Sequence, residues 1–112
     1  MAVGRYDQRK NLEEQEANAI GTEYVRADLL PVAEAARVRE LLRSYLDQRI
    51  LSYTERDEQR LRQIDATTAR LQAEMWSVVA TRASADPTPV AALVAAGMND
   101  VLNSQGYTQA AW

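Results

Sequence analysis

Apolar residues recur along this chain at intervals of three and four, and no useful stretch alternates with period two. The pattern predicts helices and no strands. The first helix is expected from Arg5 to Leu29, because the residue ahead of Pro31 is pushed out of helical backbone. Pro31 suits the first turn of a second helix, expected over 32–52. Thr54-Glu55-Arg56-Asp57 reads as a capping box with Asp in the Glu position, which starts a third helix at 55 and carries it to Ala83. Ser52-Tyr53-Thr54 is a weak break, so one continuous helix across it is the alternative. Asp86 then caps a fourth helix over 87–105, with Pro87 as its first residue.

The stripes on these helices give the fold class: all-α, an elongated antiparallel four-helix bundle with coiled-coil-like packing. Leu61, Ile64, Thr68, Leu71, Met75, Val78 and Arg82 hold a seam along the third helix. The second presents Val38, Leu41, Leu42, Tyr45, Leu46, Ile50 and Tyr53 on one broad face. The fourth offers Val90, Leu93, Val94, Gly97, Met98 and Val101, and its Ala91, Ala92, Ala95, Ala96 and Gly97 allow a close neighbour. A chain of 112 residues fills one domain. Nineteen residues are Ala, against twenty-three Leu, Ile and Val together and no Phe, so the core is expected to be thin.

Polar groups interrupt two of these faces. On the first helix the apolar arc holds Leu12, Ala17, Ala19, Ile20, Tyr24, Ala27 and Leu30, yet Glu16 and Glu23 fall inside it and Glu13 lies beside it. On the second, Arg49 sits near the middle of the arc of Val38, Leu42, Tyr45 and Leu46. An antiparallel turn about Pro31 brings Arg49 level with Glu13 and Glu16, so a partly buried ion pair with one of them is expected. Burying either charge alone costs several kcal/mol. The alternative is a boundary position from which long side chains reach solvent.

Composition narrows the chemistry further. The chain has no His and no Cys, which removes imidazole acid–base catalysis, thiol chemistry, disulfides and the usual zinc sites. The four glycines form neither a P-loop nor a dinucleotide fingerprint, and no serine sits in a G-x-S-x-G elbow. No enzyme and no cofactor are expected. Glu13 and Glu16 are weak candidates for a hard cation, and with Glu23 they leave a metal-responsive sensor as an alternative. Trp76, beside the seam of its helix, is a candidate interface anchor. Asn18, Gly21 and Asn99 are poor interior helix residues, so a close helix contact or a hydrogen bond is expected at them. A net charge of −3 with scattered arginines argues against nucleic acid as a partner. No window of eighteen apolar residues occurs, and no signal peptide is expected, because the first apolar run after Met1 is only Ala2-Val3. Met1-Ala2-Val3-Gly4 and Ala110-Ala111-Trp112 make abrupt ends, and a fragment of a longer protein is expected.

Two runs, Glu16-Ala17-Asn18-Ala19-Ile20-Gly21-Thr22 and Arg26-Ala27-Asp28-Leu29-Leu30-Pro31, resemble the bestrophin-like family of bacterial membrane proteins, a domain of unknown function. Leu41 through Arg49, Trp76 and Asn99 extend the likeness, which covers Arg5 to about Leu102. The resemblance implies a helical segment between two pairs of transmembrane helices, with a structural or oligomerising role, and a homo-oligomer joined to the membrane through flanking segments. Ion conduction is implied only at second remove, and no family catalytic residue carries over. Arg5, Arg9 and Lys10 would follow a span, which favours the cytoplasmic face of the inner membrane. A free-standing helical interaction or adaptor module is the other alternative. Any ion or small ligand is left open.

Overall fold

The computed structural model describes residues 2–110, with side chains for 10, 11 and 13–105. Four helices follow in order: α1 (Ala2–Arg26), α2 (Val32–Thr54), α3 (Glu58–Ala85) and α4 (Pro89–Ala110), with a 3-10 turn at Ala27–Leu29. Short connections make sequential neighbours antiparallel. α1 packs chiefly on α4 and α2 on α3, α3 also meets α4, and α1 touches α2 more lightly. The chain is therefore an all-α four-helix bundle, and among the described residues there is no strand. Its principal extents are 48 × 29 × 18 Å. At about 1.5 Å per residue, the 28 residues of α3 nearly span the long dimension. No described helix is long and apolar enough to cross a membrane. Leu12 and the basic residues Arg5 and Arg9 lie outside the described side chains.

Helix boundaries move where capping chemistry decides between neighbouring candidates. α3 begins three residues later than the 55 expected, because Asp57 is the residue that caps it: its carboxylate accepts from the Arg60 amide at 3.3 Å. Thr54 closes α2 instead, with its hydroxyl on the Leu51 carbonyl at 3.4 Å. The non-helical residues 55–57 make α2 and α3 two helices and not one. α4 begins at Pro89, not Pro87. Thr88 precedes a proline and is therefore barred from helical backbone, and its hydroxyl accepts from the Ala91 amide at 3.0 Å. Pro89 then takes the first helical position, where its missing N–H costs nothing.

The buried residues give each helix a narrow inward face. α1 and its 3-10 turn bury Glu16, Ile20, Glu23, Ala27 and Leu30, a strict 4-3-4-3 file. α2 contributes Val38, Leu42, Tyr45 and Arg49, α3 contributes Ile64, Thr68, Leu71, Met75 and Val79, and α4 contributes Ala91, Val94, Met98 and Val101. Each large apolar side chain so enclosed contributes about 1.5–3 kcal/mol. The stripes expected from sequence are broader than this. Ile50, Val90 and Leu93 were assigned to the core but are 52%, 44% and 43% exposed, and Ala17 is also exposed. In a bundle this slim, a residue on the flank of a helix finds no neighbour to cover it. Arg82, assigned to the α3 seam, lies at its margin and forks onto Glu34, its Nε donating to Oε2 at 2.7 Å.

Candidate functional site

Two glutamates seven residues apart on the inward face of α1 define the polar interior. Glu16 is the completed one. Arg49 of α2 donates to it from Nε onto Oε1 and from Nη2 onto Oε2 at 3.5 Å, and the Tyr53 hydroxyl donates to Oε2. The guanidinium also stands over the Tyr53 ring, 5.4 Å from its centre. Both groups are buried, at 2% and 3% exposure, so their hydrogen bonds are made in a low-dielectric setting. Burial alone would weaken the charge on Arg49, but the Glu16 hydrogen bond and charge outweigh it and raise its pKa. Tyr53 is raised too, by burial first and then by the adjacent Glu16 carboxylate, so its phenol stays a donor.

Between the two candidate partners of Arg49, it is therefore Glu16 that takes it. Glu13 lines a small cavity of about 90 Å³ above the pair, together with Ala17, Ile20, Leu46, Ile50 and Tyr53. Of these two, Glu16 spends its oxygens on Arg49 and Tyr53. Among the described residues no group of three or more Asp, Glu, His or Cys could hold a metal ion.

Glu23 lies at the same height as Gly97 of α4 and is wholly buried. Neither of its oxygens has a hydrogen-bond partner among the described residues. Gly97 is what makes room for it: a Cβ there would collide with Glu23 Oε1 and stand 3.0 Å from Arg26 Nη1. Burial pushes the Glu23 pKa up to about 8. The nearby Arg26 charge opposes this, and Asp100 adds to it. Burial thus favours the protonated carboxyl. Sequence reasoning placed Glu23 on the apolar arc but found no partner for it, and Gly97 was read only as a small residue. A glutamate on an inward arc facing an Ala/Gly-rich helix was the available signal.

The other expected sites fall elsewhere. Asn18, Gly21 and Asn99 are exposed, and a Cβ at Gly21 meets nothing within 4 Å. The close helix contact expected at Gly21 is absent because that position faces solvent, and the close approach occurs at Gly97 instead. The 23–97 contact does put Gly21 at the level of Asn99. Trp76 is 42% exposed on α3.

A group of exposed aliphatic side chains adds to these sites. Val25, Leu29, Val32, Val90 and Leu93 are 68%, 49%, 87%, 44% and 43% exposed, all near the end of the bundle that carries the 3-10 turn. Leu29 and Val90 share a cleft of about 500 Å³ with Leu30, Pro31 and Ala91, edged by Arg82 and Asp86. Comparisons of the chain with models of protein families, with curated proteins and with solved structures give no match.

Proposed function

We propose that this chain is an assembly module, a helical bundle that joins copies of itself through its apolar end. The reading is supported by the five exposed aliphatic residues Val25, Leu29, Val32, Val90 and Leu93, spread over the end of α1, the 3-10 turn and the starts of α2 and α4, with Leu29 and Val90 lining a shared cleft. Apolar groups clustered in this way gain about 25 cal/mol per Å² when a partner covers them. Charged rim groups such as Arg82 and Asp86 would then fix orientation more than affinity.

The likeness of the 16–22 and 26–31 runs to the bestrophin-like family supplies the setting: the module lies at the cytoplasmic face of a bacterial inner membrane and helps to assemble a membrane protein, a channel or a transporter. Trp76, Asn18, Gly21 and Asn99 are secondary contact candidates in that assembly. The apolar end is tested by sedimentation velocity on the chain and on a Val32→Glu/Leu93→Glu variant. Concentration-dependent dimers or larger species are expected for the natural chain and monomers for the variant. A natural chain that stays monomeric at millimolar concentration, or a variant that assembles equally well, overturns the reading.

A further inference from the structure

Glu23 does nothing for the assembly surface and gains no hydrogen bond where it sits, yet α4 supplies a glycine at the one point where any other side chain would displace it. We propose that Glu23 is a proton-operated latch between α1 and α4: the protonated carboxyl seats against Gly97 and closes the seam, and the carboxylate leaves the core toward Arg26 and loosens it.

The geometry supplies both positions. In the closed seat the carboxyl is fully enclosed and lacks any partner, a place that a neutral acid tolerates far better than an ion. The open position is close at hand. Arg26 lies three residues along the same helix face, only partly buried, and its Nη1 approaches the same notch above Gly97 without bonding to Glu23. Asp100, one turn beyond Gly97 on α4, repels the carboxylate from the closed seat. The rest of the core at the centre of the bundle is Val38, Leu42 and Tyr45 from α2 and Leu71 and Met75 from α3. Of these only Tyr45 ionises, and burial holds its phenol neutral by pushing its pKa up to about 12. Arg26 and Asp100 are thus the charges that bias the latch.

The latch is read by amide hydrogen exchange across pH 6–10, expressed as protection factors so that the intrinsic pH dependence cancels. As pH rises, protection across 20–27 and 94–101 is expected to fall about tenfold for each pH unit below the midpoint and to level off above it, because opening releases a proton only while the seated carboxyl still holds one. Amides of 38–45 and 71–79 are expected to keep theirs. Glu23→Gln should be flat over the whole range. Two variants apply if that one folds poorly: Arg26→Gln should move the loss to higher pH and Asp100→Asn to lower pH. Protection that does not change with pH, or that falls equally in all four helices, overturns the latch. So does a Glu23→Gln profile identical to that of the natural chain, or Arg26 and Asp100 variants that leave the midpoint in place.

Discussion

Glu16 and Glu23 occupy equivalent positions one heptad apart on the same buried stripe of α1, yet their surroundings could hardly differ more. Glu16 faces α2, where Arg49 and Tyr53 answer it with three hydrogen bonds. Glu23 faces Gly97 of α4 and, among the described residues, no hydrogen bond answers it. The same side chain is therefore matched by a cation in one place and pushed toward its protonated form in the other. What decides is the helix across the seam. A seam with a long, cationic side chain can hold a carboxylate, and a seam narrowed by glycine can hold only its protonated form.

Arg49→Met should have the largest effect on this contrast. It leaves Glu16 buried with Tyr53 alone and should cost about 3–5 kcal/mol in urea unfolding at pH 7. A loss below about 1 kcal/mol would mean that Glu16 escapes to solvent and that the two sites are not truly different.

The pH dependence of stability comes next. Between pH 4.5 and about 8 the folded chain keeps a proton on Glu23 that the unfolded chain has released. Stability should therefore fall as pH rises through that window, by up to about 1.4 kcal/mol per pH unit, and level off above it for this group. Glu34 and Glu55 act with the opposite sign. The Arg82 fork lowers Glu34, and the amides of Asp57 and Arg56 lower Glu55, so their contributions are present above pH 4.5 and lost as pH falls further. Thermal melts should then show greatest stability near pH 5, with Glu23→Gln removing the decline on the alkaline side. A flat profile from pH 5 to 8 in the natural chain would contradict a neutral Glu23.

Tyr53→Phe removes one donor from an ionised carboxylate and should cost about 1.5–3 kcal/mol, measurable by the same urea titration. No loss would mean that Arg49 alone satisfies Glu16. The smallest effect has the sharpest sign. Gly97→Ala should destabilise the natural chain by about 1 kcal/mol, since the new methyl collides with the Glu23 carboxyl. In a Glu23→Ala background the same change should stabilise by about 1 kcal/mol, because Ala is the better helix former. Equal signs in the two backgrounds would show that Gly97 does not serve Glu23.

How much of this was legible in the sequence follows the range of the contacts. Glu16 and Arg49 belong to consecutive helices joined by a short turn, so their meeting could be read from spacing about Pro31. Glu23 and Gly97 belong to the first and last helices, and nothing local says that position 97 and not position 21 is the glycine a neighbour approaches. The start of α4 was legible and misread: Thr88-Pro89 forbids helix at 88 as firmly as Asp86-Pro87 forbids it at 86. The exposed Val90 and Leu93 follow from the narrow cross-section, a property of the assembled bundle that no single stripe reports.

The most direct measurement is a carbon-13 NMR titration of the Glu23 side-chain carboxyl, assigned by comparison with Glu23→Gln. A midpoint near 8 is expected, with the resonance of a neutral acid at pH 6. A midpoint near the ordinary 4.5 would mean that the carboxylate already stands in water or on Arg26 at neutral pH. In that case the contrast between the two glutamates of α1 would not exist.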